Sequence, residues 1–214
     1  MFFTVIFCQL TIMGESGVDS KITDPVMEYY VNRSKTVLES GDPLKRGISF
    51  SYEAVSVYEK IGRKGRVEFS DSSRAVYYFS FGKLDSLVSD SNYSEIRQPT
   101  FDYPNIFAGD YNFNFYPNDT GGEYLAIGFE PDSVKNNEPV GIAIINRSNQ
   151  FLTWLYLHYP LVSNQKKLSR TYRFNNVDGF RFCGSIKEVG AIYSVFSLDY
   201  YSLETRISNI QIQK

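Results

Sequence analysis

Histidine, cysteine and tryptophan are nearly missing from the 214 residues, which hold one His, two Cys and one Trp. So few ligands leave a structural zinc site unfilled. Any Ser-His-Asp or Cys-His system would have to run through His158, with Cys183 as the only plausible thiol. A single histidine closing an aromatic strand reads more simply as a rim residue that hydrogen-bonds locally. An excess of one charge is also missing: 22 Lys and Arg face 24 Asp and Glu, for a net charge of −2. No Lys/Arg cluster exceeds short runs such as Arg63-Lys64 and Lys166-Lys167. Binding to nucleic acid through phosphate neutralisation is therefore excluded. The apolar run at 1–14 falls short of the roughly 20 residues that span a bilayer.

What the chain has in quantity is aromatic rings, 17 Tyr and 17 Phe, within a hydrophobic share of 43%. That is enough apolar surface to offset the entropy of ordering the chain, so disorder is excluded. The length suits one domain. Residues 1–20 read as an incomplete export signal: the apolar run has the length of a signal h-region but lacks a basic start. Cys8 would leave with it. The mature chain, 21–214, would keep Cys183 alone and rely on packing rather than a disulfide. Val5-Ile6-Phe7-Cys8 has the outline of a lipidation site, but Phe7 is too large for the position before the cysteine.

Asp24-Pro25 predicts a helix start, with Asp24 as N-cap and Pro25 at the first helical position. Val26, Met27, Tyr30, Val31, Ser34, Val37 and Leu38 form one stripe at three- and four-residue spacing, and Gly41 with Asp42-Pro43 ends the helix. A single helix cannot bury its own stripe, so it must lie on a sheet. From Ile48 onward, alternating strands are separated by turn chemistry: Gly62-Arg63-Lys64-Gly65, Asp71-Ser72-Ser73, Pro117 to Gly122, Asn146 to Asn149 and Asn175 to Gly179. Residues 83–109 read as a long irregular segment, and 131–139 as a polar loop. Gly141 and Ala143 give the strand at 140–145 one mostly small face, open to close approach by the helix or a ligand. The fold expected is mainly β (α+β): a curved antiparallel half-barrel of about eleven strands wrapped around an N-terminal amphipathic helix.

Three motifs carry weak chemistry. Asp119-Thr120-Gly121 matches the aspartic-protease tripeptide but has no second copy and reads as a turn. Glu188 shares an alternation with Ile186 and Ile192, and Arg206 could pair with it or with Glu204. A buried carboxylate pair there could serve as glycosidase acid and base. Sequons at Asn32, Asn92, Asn118 and Asn146 fall mostly in turns, as turn chemistry alone would place them.

The export-like start, the one helix and the long meander together resemble the outer-membrane lipoprotein-sorting (lipoprotein carrier) family of bacterial periplasmic proteins. The likeness is strongest at Tyr172-Arg173-Phe174, at Asp178-Gly179-Phe180-Arg181-Phe182 and in the last strand, Leu203 to Ile212. Gly65 to Phe69 and Ala75 to Phe79 are similar to the family's early strands. The resemblance implies an unclosed half-barrel whose cavity shelters an acyl chain. It further implies a non-catalytic, exported periplasmic or envelope protein without cofactor or metal. Its partners would be a hydrophobic ligand or lipoprotein acyl chain, and an inner-membrane release complex or outer-membrane acceptor. No binding residue carries over by motif, and the family's lid helices would fall in 83–109, where no helical period is seen. Strand alternation instead nominates Phe50, Tyr52, Tyr77, Phe79, Phe113, Phe115, Trp154 and Tyr156 as cavity lining. The competing expectation is an envelope protein-interaction or glycan-binding module in which the same aromatics are plain core.

Overall fold

The computed structural model describes residues 24–62, 64–90, 105–107, 111–116, 122–132, 138–160, 168–193 and 198–213. The export-signal reading of 1–20, the Asp119-Thr120-Gly121 turn and the sequons at Asn92 and Asn118 lie outside them. The expected helix is present as α1 (Pro25–Ser40). Asp24 Oδ1 accepts the Val26 N–H at 2.8 Å, and Gly41 N–H bonds the Val37 carbonyl at 3.0 Å, so both ends are satisfied by the residues the sequence offered. Met27, Val31, Ser34 and Leu38 are its buried face, whereas Val26 is exposed.

Among the described residues ten strands follow: β1 (Phe50–Ile61), β2 (Val67–Ser80), β3 (Lys83–Ser89), β4 (Tyr111–Phe115), β5 (Tyr124–Pro131), β6 (Val140–Asn146), β7 (Leu152–Tyr159), β8 (Leu168–Val177), β9 (Phe180–Tyr193) and β10 (Leu198–Ile212). They form one antiparallel sheet in the order β3-β2-β1-β10-β9-β8-β7-β6-β5-β4, curved and unclosed, with α1 on its inner face. The architecture is the expected open half-barrel, with corrections to its strands: Asn175, Asn176 and Val177, expected in a turn, end β8 and pair with Phe182, Arg181 and Phe180. Asp71-Ser72-Ser73 is not a turn but the middle of β2, held by pairing with Tyr58, Val57 and Ser56. Alternation reads 179–183 and 185–196 as two strands, but Gly184 lies inside one strand that runs to Tyr193. It is the extra residue of a bulge inside β9, between the pairs Phe174–Cys183 and Arg173–Ser185. Residues 83–89 are strand β3, reached through the two-residue turn Phe81-Gly82, where φ is 51° and 75°.

In an antiparallel pair, directly opposed residues share a face. The register therefore maps the inner face in rows across the sheet. One row holds Ser73, Ser56, Thr205, Ile186, Tyr172, Leu155, Ala143, Ile127 and Phe115. The core cluster occupies this face, and Met27, Val31 and Leu38 of α1 belong to it.

Candidate functional site

The nominated aromatics divide between the two faces. Phe50, Tyr52, Tyr77 and Phe79 lie together on the inner face of β1 and β2. Their rings stack at 4.5 Å for Phe50–Phe79 and 5.0 Å for Tyr52–Tyr77. Phe182 of β9 meets Phe50 edge-on at 5.1 Å. Burial raises the Tyr52 and Tyr77 phenols above the usual tyrosine range, Tyr52 strongly. Phe113 and Phe115 pack against the same core at the far edge, with Phe107 stacked on Phe113. Trp154 and Tyr156 are elsewhere. Leu155 and Leu157 are fully buried, so the alternating Trp154 and Tyr156 project from the outer face, stacked on each other at 6.0 Å. Alternation back from Trp154 would set Leu152 beside them, but a bulge between Ile144 and Ile145 returns it to the core.

The small face of β6 does turn inward, and a neighbouring ring takes the space. A Cβ on Gly141 would sit 2.7 Å from Phe129 Cζ and 1.9 Å from the Tyr156 carbonyl oxygen. Phe129 is in turn met edge-on by Tyr111, whose phenol burial pushes up to about 12.

Polar groups on the inner face are mostly engaged. Glu188 Oε2 accepts from Arg170 Nε at 2.7 Å and Glu188 Oε1 from the Tyr201 hydroxyl at 2.7 Å. The Arg170 guanidinium lies 5.7 Å from the centre of the Tyr159 ring. Exposed Arg206 instead pairs with half-buried Glu204, so the two carboxylates do not meet across Arg206. Gly190, opposite Tyr201, leaves room for that ring to lie over it. Lys60 Nζ reaches Asp199 at 3.4 Å. Arg181 is buried, donating from Nη1 to the Leu38 carbonyl at 3.2 Å and from its backbone N–H to the Gly41 carbonyl at 2.8 Å. A cation is thereby placed on the carbonyl end of α1, where the helix dipole favours it. The sequence reading missed this anchor. Its only local sign is an arginine inside the alternating run Phe180 to Phe182.

His158 Nδ1 lies 3.0 Å from Ser169 Oγ on the outer face, a local rim contact as expected. Cys183 is buried, and burial pushes its thiol up to about 12. Among the described residues, no group of three or more His, Cys, Asp or Glu could hold a metal, and no helix is long and apolar enough to cross a membrane. Ser34 Oγ and Asn105 Oδ1 are buried with no hydrogen-bond partner.

No family model matches the chain, and no curated protein does. Among solved structures, it is similar to a LolA superfamily protein from Nitrosomonas europaea, at 10% identity over 87% of this chain and 93% of that one, TM-score 0.38. It is also similar to an outer membrane lipoprotein-sorting protein domain from Vibrio parahaemolyticus, at 10% identity over 87% and 93%, TM-score 0.41. A DUF1329 family protein from Desulfovibrio piger is similar at 11% identity over 86% and 93%, TM-score 0.39.

Proposed function

We propose that the protein is a non-catalytic, exported carrier that holds a lipoprotein acyl chain or other hydrophobic ligand between α1 and the inner face of the sheet. The observation that carries this reading is the apolar inner face itself. It is continuous from β2 to β4, with the sixteen-residue α1 packed on it. Phe50, Tyr52, Tyr77, Phe79, Phe113 and Phe115 are its lining. Trp154 and Tyr156, on the outer face, are not. Binding would draw on burial of apolar chain at roughly 0.8 kcal/mol per methylene, with no covalent step.

Native mass spectrometry of the purified protein tests it, together with displacement of a fluorescent C16 probe. Co-purifying lipid or saturable displacement is expected. A ligand-free mass with no probe uptake overturns the reading. It would favour the second one, an interaction module. That alternative draws support from edge strand β3, which is exposed along its whole length and presents Leu84, Leu87 and Val88.

A further inference from the structure

We infer that the ligand carries an uncharged hydrogen-bonding group, a hydroxyl or an ester, that Ser34 Oγ engages beneath α1; this rests on the carrier reading above. Ser34 is fully buried on the side of α1 that also buries Met27, Val31 and Leu38, so its hydroxyl faces the interior. That oxygen has no hydrogen-bond partner. A buried hydroxyl left unmade is a cost that folding normally avoids, and a guest with a matching group removes it.

The floor of the same interior is shaped for such a guest. Ser73, Ser56 and Thr205 stand opposite one another across β2, β1 and β10, beside Ala75 and Ala54 one step along the strands. All five side chains are short and all are buried. Along the strands they are bounded by Tyr52 and Tyr77 on one side and by Tyr58 on the other, so the floor steps down between taller rings. Ser56 Oγ and Thr205 Oγ1 bond each other at 2.8 Å, and hydroxyls can accept further bonds.

Charge argues against an anionic head. The three cations described on or under the inner face are already engaged: Arg170 with Glu188, Lys60 with Asp199, and Arg181 with the Leu38 carbonyl. Bringing a carboxylate into this interior costs its hydration, which Arg170 and Lys60, already paired with Glu188 and Asp199, do not offset. A neutral polar lipid avoids that cost, and a pure hydrocarbon gains nothing from Ser34.

Calorimetric titration of the full chain with monopalmitoylglycerol, palmitate and hexadecanol at pH 8 tests the inference. Monopalmitoylglycerol and hexadecanol are expected to bind at least about tenfold more tightly than palmitate. Ser34→Ala should remove about tenfold of affinity for the neutral lipids and leave palmitate unchanged. Because the serine oxygen has no partner in the free protein, Ser34→Ala should melt no lower than the parent. Ala54→Leu, which raises the floor, should weaken all three ligands while the far-ultraviolet dichroism stays the same. Equal affinity for palmitate and the neutral lipids, or neutral-lipid affinity unmoved by Ser34→Ala, overturns the inference and leaves the carrier reading standing. A lower melting temperature for Ser34→Ala also overturns it, by revealing a structural partner. Failure of the parent to bind any of the three overturns both.

Discussion

Gly141 decides, by one missing methyl group, how tightly β6 and β7 can close on the ring of Phe129. A Cβ there meets the Tyr156 carbonyl oxygen, which is backbone and cannot swing aside. Gly141→Ala is therefore expected to destabilise the fold by roughly 2–3 kcal/mol, seen as a lower urea midpoint with an unchanged slope. Alternation along β6 showed that this face was small, and the structure shows that a neighbouring phenylalanine fills it. Local alternation also misjudged Leu152, because a single-residue bulge reverses the faces beyond it and a bulge leaves no mark in the sequence of one strand. Asn209 is a clearer case. It adopts φ 52° where the β1–β10 register slips and donates from Nδ2 to Glu53 Oε2 at 3.1 Å, a conformation that asparagine tolerates better than most residues.

Among the elements, α1 was readable to its ends because capping is local. The signals at Asp24, Pro25 and Gly41 act within one turn and need no partner. Asp24→Ala should cost about 1 kcal/mol, measured as a shift in thermal midpoint, with the rest of the helix intact. The strands were readable where one face is buried and unreadable where that condition fails. Strand β3 is exposed on both faces, so no alternation of apolar and polar residues marks it. In β2, Asp71-Ser72-Ser73 carries turn chemistry, yet each residue is paired across to β1, and tertiary pairing overrides local preference. The same distinction holds for the candidate site. The ring cluster on β1 and β2 was legible from alternation. The Arg170–Glu188–Tyr201 group and the row Ser73–Ser56–Thr205 were not, because they exist only through register between strands far apart in the chain.

At the scale of the whole molecule, buried protonated groups set the alkaline limit. Burial raises Cys183 from 9.0 to about 12, and Tyr52 and Tyr172 are also raised, chiefly by burial. A group whose folded pKa is raised binds its proton more tightly when folded. Its stabilisation is therefore complete below about pH 9 and is lost progressively as pH climbs towards 12. Unfolding is expected across that window as loss of ellipticity, with exposed tyrosines such as Tyr29 and Tyr124 ionising independently of it; the last part of the tyrosinate absorbance at 295 nm, from the buried rings, should rise only with that loss, and a complete tyrosinate signal before unfolding would contradict it. The order of the sheet has a consequence in time as well as in space. Every neighbour pair but one joins strands consecutive in the chain; the exception is β1 with β10, which brings Ser56 against Thr205, 149 residues apart. Until the last strand leaves the ribosome, β1–β3 and β4–β9 are two separate sheets, each with a raw edge at the seam. The final fifteen residues of regular structure act as the zip between them. A nascent chain stalled before Leu198 would hold two sticky halves in place of one interior, making the synthesis of β10 a moment of high aggregation risk.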